Sequence, residues 1–393
     1  MIMEDLARDE EGGSFISEKE VTFMPGGSDV EDTDVSDVED HEVAAERWRI
    51  VRGGINQLNA EGDLLIIKNA TKVFPCSNQK SVDHICVGIR VGECFGLLGP
   101  NGAGKTTTMD MIAGYERLTD GEIYIDGNPV SPMCTKALEN ISYCPQSGGF
   151  MGDLTPTEAF TLFARIRAVP EGRINELIEI LQGIFMLKDQ MTKPMNTLSG
   201  GTRQKVICAV ALIGLPIIIM LDEPTTGIDA VSRKIIWNAI SKTRESGRLI
   251  LLTSHNMEES EALCTRLVIM VKGRFKCIGS VQHLRNKFGF VFRLEVKVDK
   301  SAANQEDPYA ENGAKLDAFI AKSFPGAKLK SFRQGLFRYE IPSHDLPWSK
   351  AFNTLESNKS KAGIAYYSLG QPTLEEIFLK FASEEGTEPT NLN

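Results

Sequence analysis

Three short apolar runs constrain this chain more than anything else in it: CFGLLG at 94–99, IIIMLD at 217–222 and LILLTSH at 249–255. Each is a continuous block of strand length, the pattern of a strand buried on both faces of a parallel sheet with helical crossovers. Each stops abruptly at a glycine, an aspartate or a histidine. In open α/β sheets ligands bind beyond the carboxyl ends of the strands, so three polar endings predict one shared site on an α/β fold.

The first run leads into GPNGAGKT, residues 99–106, and a predicted helix over TTTMDMIAGYERL. This is the GxxxxGK[ST] pattern in its strand-to-helix context. Its glycines let backbone N–H groups curl around phosphate oxygens, and the helix start adds positive potential. Lys105 is placed to reach β and γ phosphates, and the Thr106 hydroxyl to coordinate Mg2+. The second run delivers Asp222 and Glu223 together. An aspartate there can hold Mg2+ through water, and its neighbour can act as general base; the alternative is a carboxylate pair capping the next helix. His255, ending the third run, reads as a γ-phosphate sensor, against the alternative of a structural histidine. Upstream of the Asp222 strand, LSGGTRQK at 198–205 sets Ser199 and two glycines at another anion-binding helix start.

The net charge of −10 hides an asymmetry, because residues 1–42 carry 15 acidic and 2 basic side chains and the rest is near +3. That tail repeats SDVED at 28–32 and 36–40, has few large apolar residues and reads as disordered. Ser28 and Ser36 precede acidic residues as acid-directed kinases require, but such serines are also ordinary in solvated tails. A tail of this sign is repelled by anionic membrane surfaces and by nucleic-acid backbones. No run reaches the 18 apolar residues of a spanning helix, and the start MIMEDLARDEEGG lacks the basic and apolar segments of a secretory signal, so a cytosolic setting is expected. Eight cysteines form no CxxC pair and read as reduced structural thiols.

Beyond Gly289 the segments FVFRLEVKV, LDAFIAKSF, KLKSF, GLFRYEI, LPWSKAFNTLES and GIAYYSL predict the order βαββαβ, a ferredoxin-like α+β domain. Pro347 is expected to start its second helix and Gln334-Gly335 to form its hairpin. Thr373 and Glu376 predict a capping box before TLEEIFLKFA, whose Phe378 and Phe381 read as core in preference to a docking motif.

GPNGAGKT, Gln146 in YCPQ, LSGGTRQK, LDEPTTGID and SH at 254–255, in this order, resemble the nucleotide-binding domain of ATP-binding-cassette (ABC) transporters over about residues 62–288. The resemblance implies a P-loop ATPase with a mixed-sheet core and a helical subdomain, using ATP and Mg2+. It implies head-to-tail pairing with a second nucleotide-binding domain, so that Leu198, Ser199, Gly200 and Gly201 complete the partner's site. By the same resemblance Phe74 stacks on adenine, Gly99, Pro100, Asn101, Gly102, Ala103, Gly104, Lys105, Thr106 and Thr107 hold the phosphates, and Thr106, Gln146 and Asp222 hold the metal. Glu223, His255 and Gln146 serve catalysis, Asp229 lies in the segment crossing the interface, and the loop SGGFMGDLT contacts a membrane domain.

SVDHICVGIRVGECFGLLGPNGAGKTT, SYCPQ, LLTSHNMEESEALCTRLVIMVKGRFKCIGSVQHLRNKFG and PTLEEIFLKFA look most like the second nucleotide-binding domain of subfamily A, the lipid-associated transporters. Thr202 and Ala230 differ from that subfamily's usual residues, and neither is a catalytic group. The implied organisation is an acidic tail at 1–45, a linker at 46–61, the ABC domain at 62–288, a regulatory domain at 289–383 and a tail at 384–393. The implied function is ATP hydrolysis powering lipid transport, on the cytosolic face of a membrane, through transmembrane domains not present in this chain. Two alternatives stand beside it: a soluble ABC ATPase acting on ribosome or nucleic acid, and a regulatory cassette pairing with a full transporter. The near-neutral body and acidic arm argue against nucleic acid.

Overall fold

The computed structural model describes residues 40–384 apart from 76–78, 132–133, 147–151, 215, 289–290, 299–309, 343–347, 360–361 and 372. Ser28, Ser36, Pro347, most of the SGGFMGDLT loop and the tail at 385–393 lie outside these residues, as does the acidic segment up to residue 39.

The three apolar runs form the centre of a six-stranded sheet. Its order is Arg274–Gly279, Arg266–Val271, Cys94–Leu98, Leu249–Ser254, Ile218–Asp222 and Ile141–Cys144. Neighbours are parallel except for the antiparallel hairpin of the first two. Alternation along the strands divides them between two cores. Phe95, Leu97, Ile218, Met220, Leu249 and Leu251 face one, and Cys94, Leu98, Ile219, Leu221, Ile250 and Leu252 the other. Both faces being covered is why the runs are continuously apolar. Each such fully buried side chain contributes on the order of 1.5–3 kcal/mol.

One face carries an antiparallel sheet ordered Lys80–Arg90, Asp63–Val73, Asp120–Ile125 and Asn128–Pro129, together with the Lys105–Ile112 helix. On the other lie the helices Pro156–Ile166, Glu171–Ile184, Gly200–Ala211, Ala230–Glu245 and Met257–Leu263. The helix after GPNGAGKT is shorter than its sequence pattern: it ends at Ile112, and Gly114 turns the chain at φ +77°. Six of the seven described cysteines are buried thiols.

The start of the described chain departs from the expected tail and linker. Helices run over His41–Arg52 and Ile55–Ala60. The physical reason lies in HEVAAERWRIVR, whose Val43 and Ile50 bury against the body while Arg49 reaches Asp63, a fully buried carboxylate. Arg49 also bonds Glu46, at 2.8 and 3.0 Å, and Glu46 accepts the Gly88 N–H at 2.9 Å. Asp40 and Glu42, read as tail, also pair with the body, through Lys287 and His283.

The third sheet is antiparallel, ordered Lys328–Arg333, Leu336–Pro342, Val291–Val298 and Ile364–Gly370, with helices Ala310–Ser323 and Trp348–Asn358. This is the βαββαβ ferredoxin-like arrangement, cored by Leu294, Val296, Leu316, Ile320 and Leu355. Gln334 and Gly335, at φ +46° and +82°, make its two-residue hairpin turn. The closing helix Leu374–Glu384 has the capping box: Thr373 N–H donates to Glu376 at 3.1 Å and Glu376 N–H to Thr373 at 3.3 Å. By packing, though, that helix belongs to the first body. Leu374 and Ile377 are buried in its core, Phe378 packs there, and the Phe381 ring meets Phe288 edge-on at 5.0 Å.

Candidate nucleotide site

Register in the parallel sheet sets Leu98 opposite Ser254, Asp222 opposite Thr253, and Leu221 opposite Cys144. Gly99, Glu223, His255 and Gln146 therefore leave the sheet along the same edge, where α/β folds bind ligands.

The loop from Gly99 to Gly104 is shaped for close approach of backbone to an anion. Gly102 and Gly104 have φ +79° and +103°. A Cβ on Gly104 would lie 2.3 Å from the Ser81 carbonyl oxygen, and one on Gly99 would lie 2.4 Å from that of Met270. Lys105 is buried at the first turn of its helix, and its Nζ donates to the carbonyls of Gly99 at 2.8 Å and Pro100 at 3.1 Å. Burial pushes its pKa down, opposed by Glu223 and Asp222. A buried ammonium beneath a glycine loop that leaves room for close backbone approach is suited to cradle phosphate oxygens. Asn101 and Gly102 form its exposed rim, Ala103 is buried beneath, Thr106 is exposed and Thr107 half-buried.

Thr106 Oγ1 donates to Asp222 Oδ2 at 3.1 Å, and the Thr253 hydroxyl donates to the other oxygen. The Tyr143 hydroxyl lies 3.5 Å from Asp222 and 3.5 Å from Asp110, and burial followed by Asp222 raises its pKa. Hard oxygen donors on Thr106 and Asp222 fit Mg2+, which takes few protein ligands and completes its shell with phosphate and water. Among the described residues no three His, Cys, Asp or Glu side chains gather into an all-protein cage.

Glu223 sits at φ +47°, an uncommon conformation for a glutamate. Its N–H is shared between the Thr253 carbonyl at 3.2 Å and hydroxyl at 3.0 Å. Its Oε2 accepts from Gln146 Nε2 at 2.8 Å and Thr226 Oγ1 at 3.1 Å, with His255 Nδ1 at 3.2 Å. The bond to His255 holds the Glu223 carboxyl below its ordinary pKa, and the same bond raises His255. Glu223 is thus an ionised acceptor at the sheet edge. Neither it nor Asp222 caps the following helix; Asp229 does, accepting the Ser232 N–H at 2.9 Å.

The other predicted residues form a second group. Ser199 caps the Gly200–Ala211 helix, accepting the Thr202 N–H at 3.3 Å with its hydroxyl 2.8 Å from that of Thr202. Ser199 and Gly200 are exposed, and a Cβ on Gly201 would lie 3.1 Å from Asp229. The Leu198 side chain is buried in the core beside them. Phe74 is half-buried at a strand end with Lys72 Nζ 4.9 Å from its ring centroid. Sequence reasoning missed Tyr143, Thr253 and Thr226. The only signal for Thr253 was a polar residue inside an apolar strand.

These features define a P-loop nucleotide-binding domain. The ABC transporter family profile matches residues 82–226, and the profile of the ABCA1-like, C-terminal R1 regulatory domain matches residues 289–371. The chain thus carries an ABC transporter domain followed by an ABCA1-like, C-terminal R1 regulatory domain.

It is 43% identical over 348 residues to phospholipid-transporting ATPase ABCA3 of Homo sapiens, covering 88% of this chain and 20% of that protein. Phospholipid-transporting ATPase ABCA7 of Homo sapiens is 39% identical, covering 88% of this chain and 16% of that protein. For ATP-binding cassette sub-family A member 2 of Homo sapiens the figures are 38%, 88% and 14%. The chain spans 20% or less of the length of these relatives. Among solved structures, the ATP-binding subunit of an ABC transporter superposes with TM-score 0.54 at 26% identity, covering 57% of this chain and 93% of that one. A dimeric ATP-binding cassette in a post-hydrolysis state, bound to ADP and Pi, shares the fold at TM-score 0.52 and 24% identity, covering 55% and 98%. Among the described residues no helix is long and apolar enough to cross a membrane.

Proposed function

We propose that this chain binds and hydrolyses ATP as the motor of an ABC transporter of lipid, pairing head to tail with a second nucleotide-binding domain on the cytosolic face of a membrane. The observation that carries this reading is the convergence of Lys105, Thr106 with Asp222, and Glu223 with Gln146 and His255 on one sheet edge. Lys105 holds the β and γ phosphates, Thr106 and Asp222 hold the metal, and Glu223 orients a water and takes its proton. Mg2+, when bound, screens the negative charge of the phosphate oxygens. His255 senses the γ-phosphate from beside Glu223, and Gln146 links this pair to the loop after it.

The exposed Ser199 and Gly200 at a helix start support the composite-site reading, since they stand ready for a partner's nucleotide. Docking to transmembrane domains is supported by the helices Pro156–Ile166 and Glu171–Ile184, which expose Leu162, Ile166, Ile180 and Ile184, followed by Met186. Lipid as cargo rests on kinship with ABCA3 and ABCA7.

The test is ATP-dependent dimerisation of Glu223→Gln protein with Mg2+, followed by light scattering, with Glu223→Gln/Ser199→Arg as control. A dimer that the control loses supports the head-to-tail sandwich. Loss of ATP binding by the Ser199→Arg monomer would sink the composite-site assignment. Hydrolysis by Glu223→Gln at the wild-type rate would remove Glu223 as base.

A further inference from the structure

Glu259 is 1% exposed, and nothing in the proposed chemistry uses it. Its carboxylate accepts three hydrogen bonds from three different elements. Ser254 Oγ, at the end of the strand that delivers His255, donates at 2.6 Å. Thr225 Oγ1, two residues after Glu223, donates at 2.8 Å, and Trp237 Nε1 on the Ala230–Glu245 helix at 2.9 Å. An unpaired buried carboxylate is strongly destabilising, so three donors aimed at one such group mark a site the fold is built around.

We propose that Glu259 is a positioning residue, a buried bracket that holds Glu223 and His255 in their pairing by tying Thr225 and Ser254 to one carboxylate. The proposal rests on the reading of Glu223 and His255 as the reactive pair. Glu223 needs such support, because its left-handed backbone is strained for a side chain with a Cβ. Thr253 restrains it from the N–H side, and Glu259 restrains the far side of the same turn through Thr225. The Ser254 bond fixes the residue before His255, whose ring depends on the strand end for its approach to Glu223. Trp237 can only donate, so it keeps Oε1 an acceptor and sets the orientation of the carboxylate. Burial pushes the Glu259 carboxyl up, opposed by its three hydrogen-bond donors and by Arg233 on the same helix as Trp237.

The experiment uses the full chain with 13C-labelled histidine, assigned by His255→Asn, and compares wild type with Glu259→Ala, Ser254→Ala and Thr225→Val. NMR titration without nucleotide reads the His255–Glu223 pairing directly, and steady-state hydrolysis separates kcat from KM. In wild type His255 titrates above the ordinary value of about 6.5, and in Glu259→Ala it falls back toward that value. The same variant loses at least about tenfold in kcat, while ATP affinity, held by the loop at 99–106, changes by less than about twofold. Ser254→Ala and Thr225→Val each remove one tie and give the answer if Glu259→Ala does not fold. A folded variant with unchanged His255 titration and unchanged kcat overturns the bracket. Wild-type hydrolysis by Glu223→Gln overturns the catalytic reading instead; the histidine titration then supports the bracket if it shifts and overturns it if it does not.

Discussion

His255 Nδ1 lies 3.2 Å from Glu223 Oε2, the oxygen that also accepts Gln146 Nε2 at 2.8 Å. The pair makes folding sensitive to pH in a defined window. Glu223, whose folded pKa is lowered, contributes stability that is present above its ordinary pKa and lost as pH falls through the lowered one. His255, whose folded pKa is raised, contributes stability that is complete below its ordinary value and lost as pH rises through the raised one. His255→Asn is therefore expected to cost stability near pH 6 and almost none at pH 9. The imidazole is 43% exposed, so solvent screening keeps the cost below about 1 kcal/mol. Urea unfolding at the two pH values checks this, and an equal cost at both would contradict the pairing.

Lys105→Ala should separate binding from folding. Its ammonium is buried, and the carbonyls of Gly99 and Pro100 with the nearby charges of Glu223 and Asp222 only offset that burial, so its loss should change unfolding free energy by less than about 1 kcal/mol. ATP affinity should fall at least about thirtyfold, equivalent to about 2 kcal/mol. Calorimetric titration with ATP beside a denaturant curve measures both, and retained affinity would unseat Lys105 as the phosphate ligand.

Gly104→Ala is expected to do the reverse, lowering stability and binding together. The new Cβ would meet the Ser81 backbone 2.3 Å away at φ +103°, where no rotamer relieves it. A loss of about 2 kcal/mol or more in unfolding free energy is expected, and a melting temperature equal to wild type would refute it.

Arg49→Ala leaves the Asp63 carboxylate buried, with Arg90 Nε at 3.8 Å as a distant partner. A cost of about 3 kcal/mol is expected, recovered in part by adding Asp63→Asn. If the single variant unfolds at the wild-type denaturant midpoint, this ion pair does not seat the first helix.

Much of this architecture is legible in the chain itself. A strand buried on both faces leaves a continuous apolar run, a phosphate loop has no alternative to its glycines, and the Thr373–Glu376 and Gln334–Gly335 signals act within a few residues. What was illegible depends on partners far along the chain. Tyr143 meets Asp110 and Asp222, Arg49 meets Asp63, and Leu198 turns into a core formed from several helices. The Asp40–Glu42 end of the acidic stretch looked like solvated tail because its partners, Lys287 and His283, lie some 240 residues later. Glu259 is the sharpest case, since beside Glu258 it reads as one of two helix-surface carboxylates until the fold buries it.

The closing helix gives the R1 domain an unusual mounting. Its entry neck at Phe288 and its exit neck at Leu374 are both fastened to the nucleotide-binding body. They converge on Glu261, which takes Arg285 Nη2 at 2.6 Å and the Leu374 N–H at 3.3 Å. A domain moored at one end can drift without consequence, but one moored at both transmits torque. Here both moorings share one side chain on the Met257–Leu263 helix, two residues from Glu259.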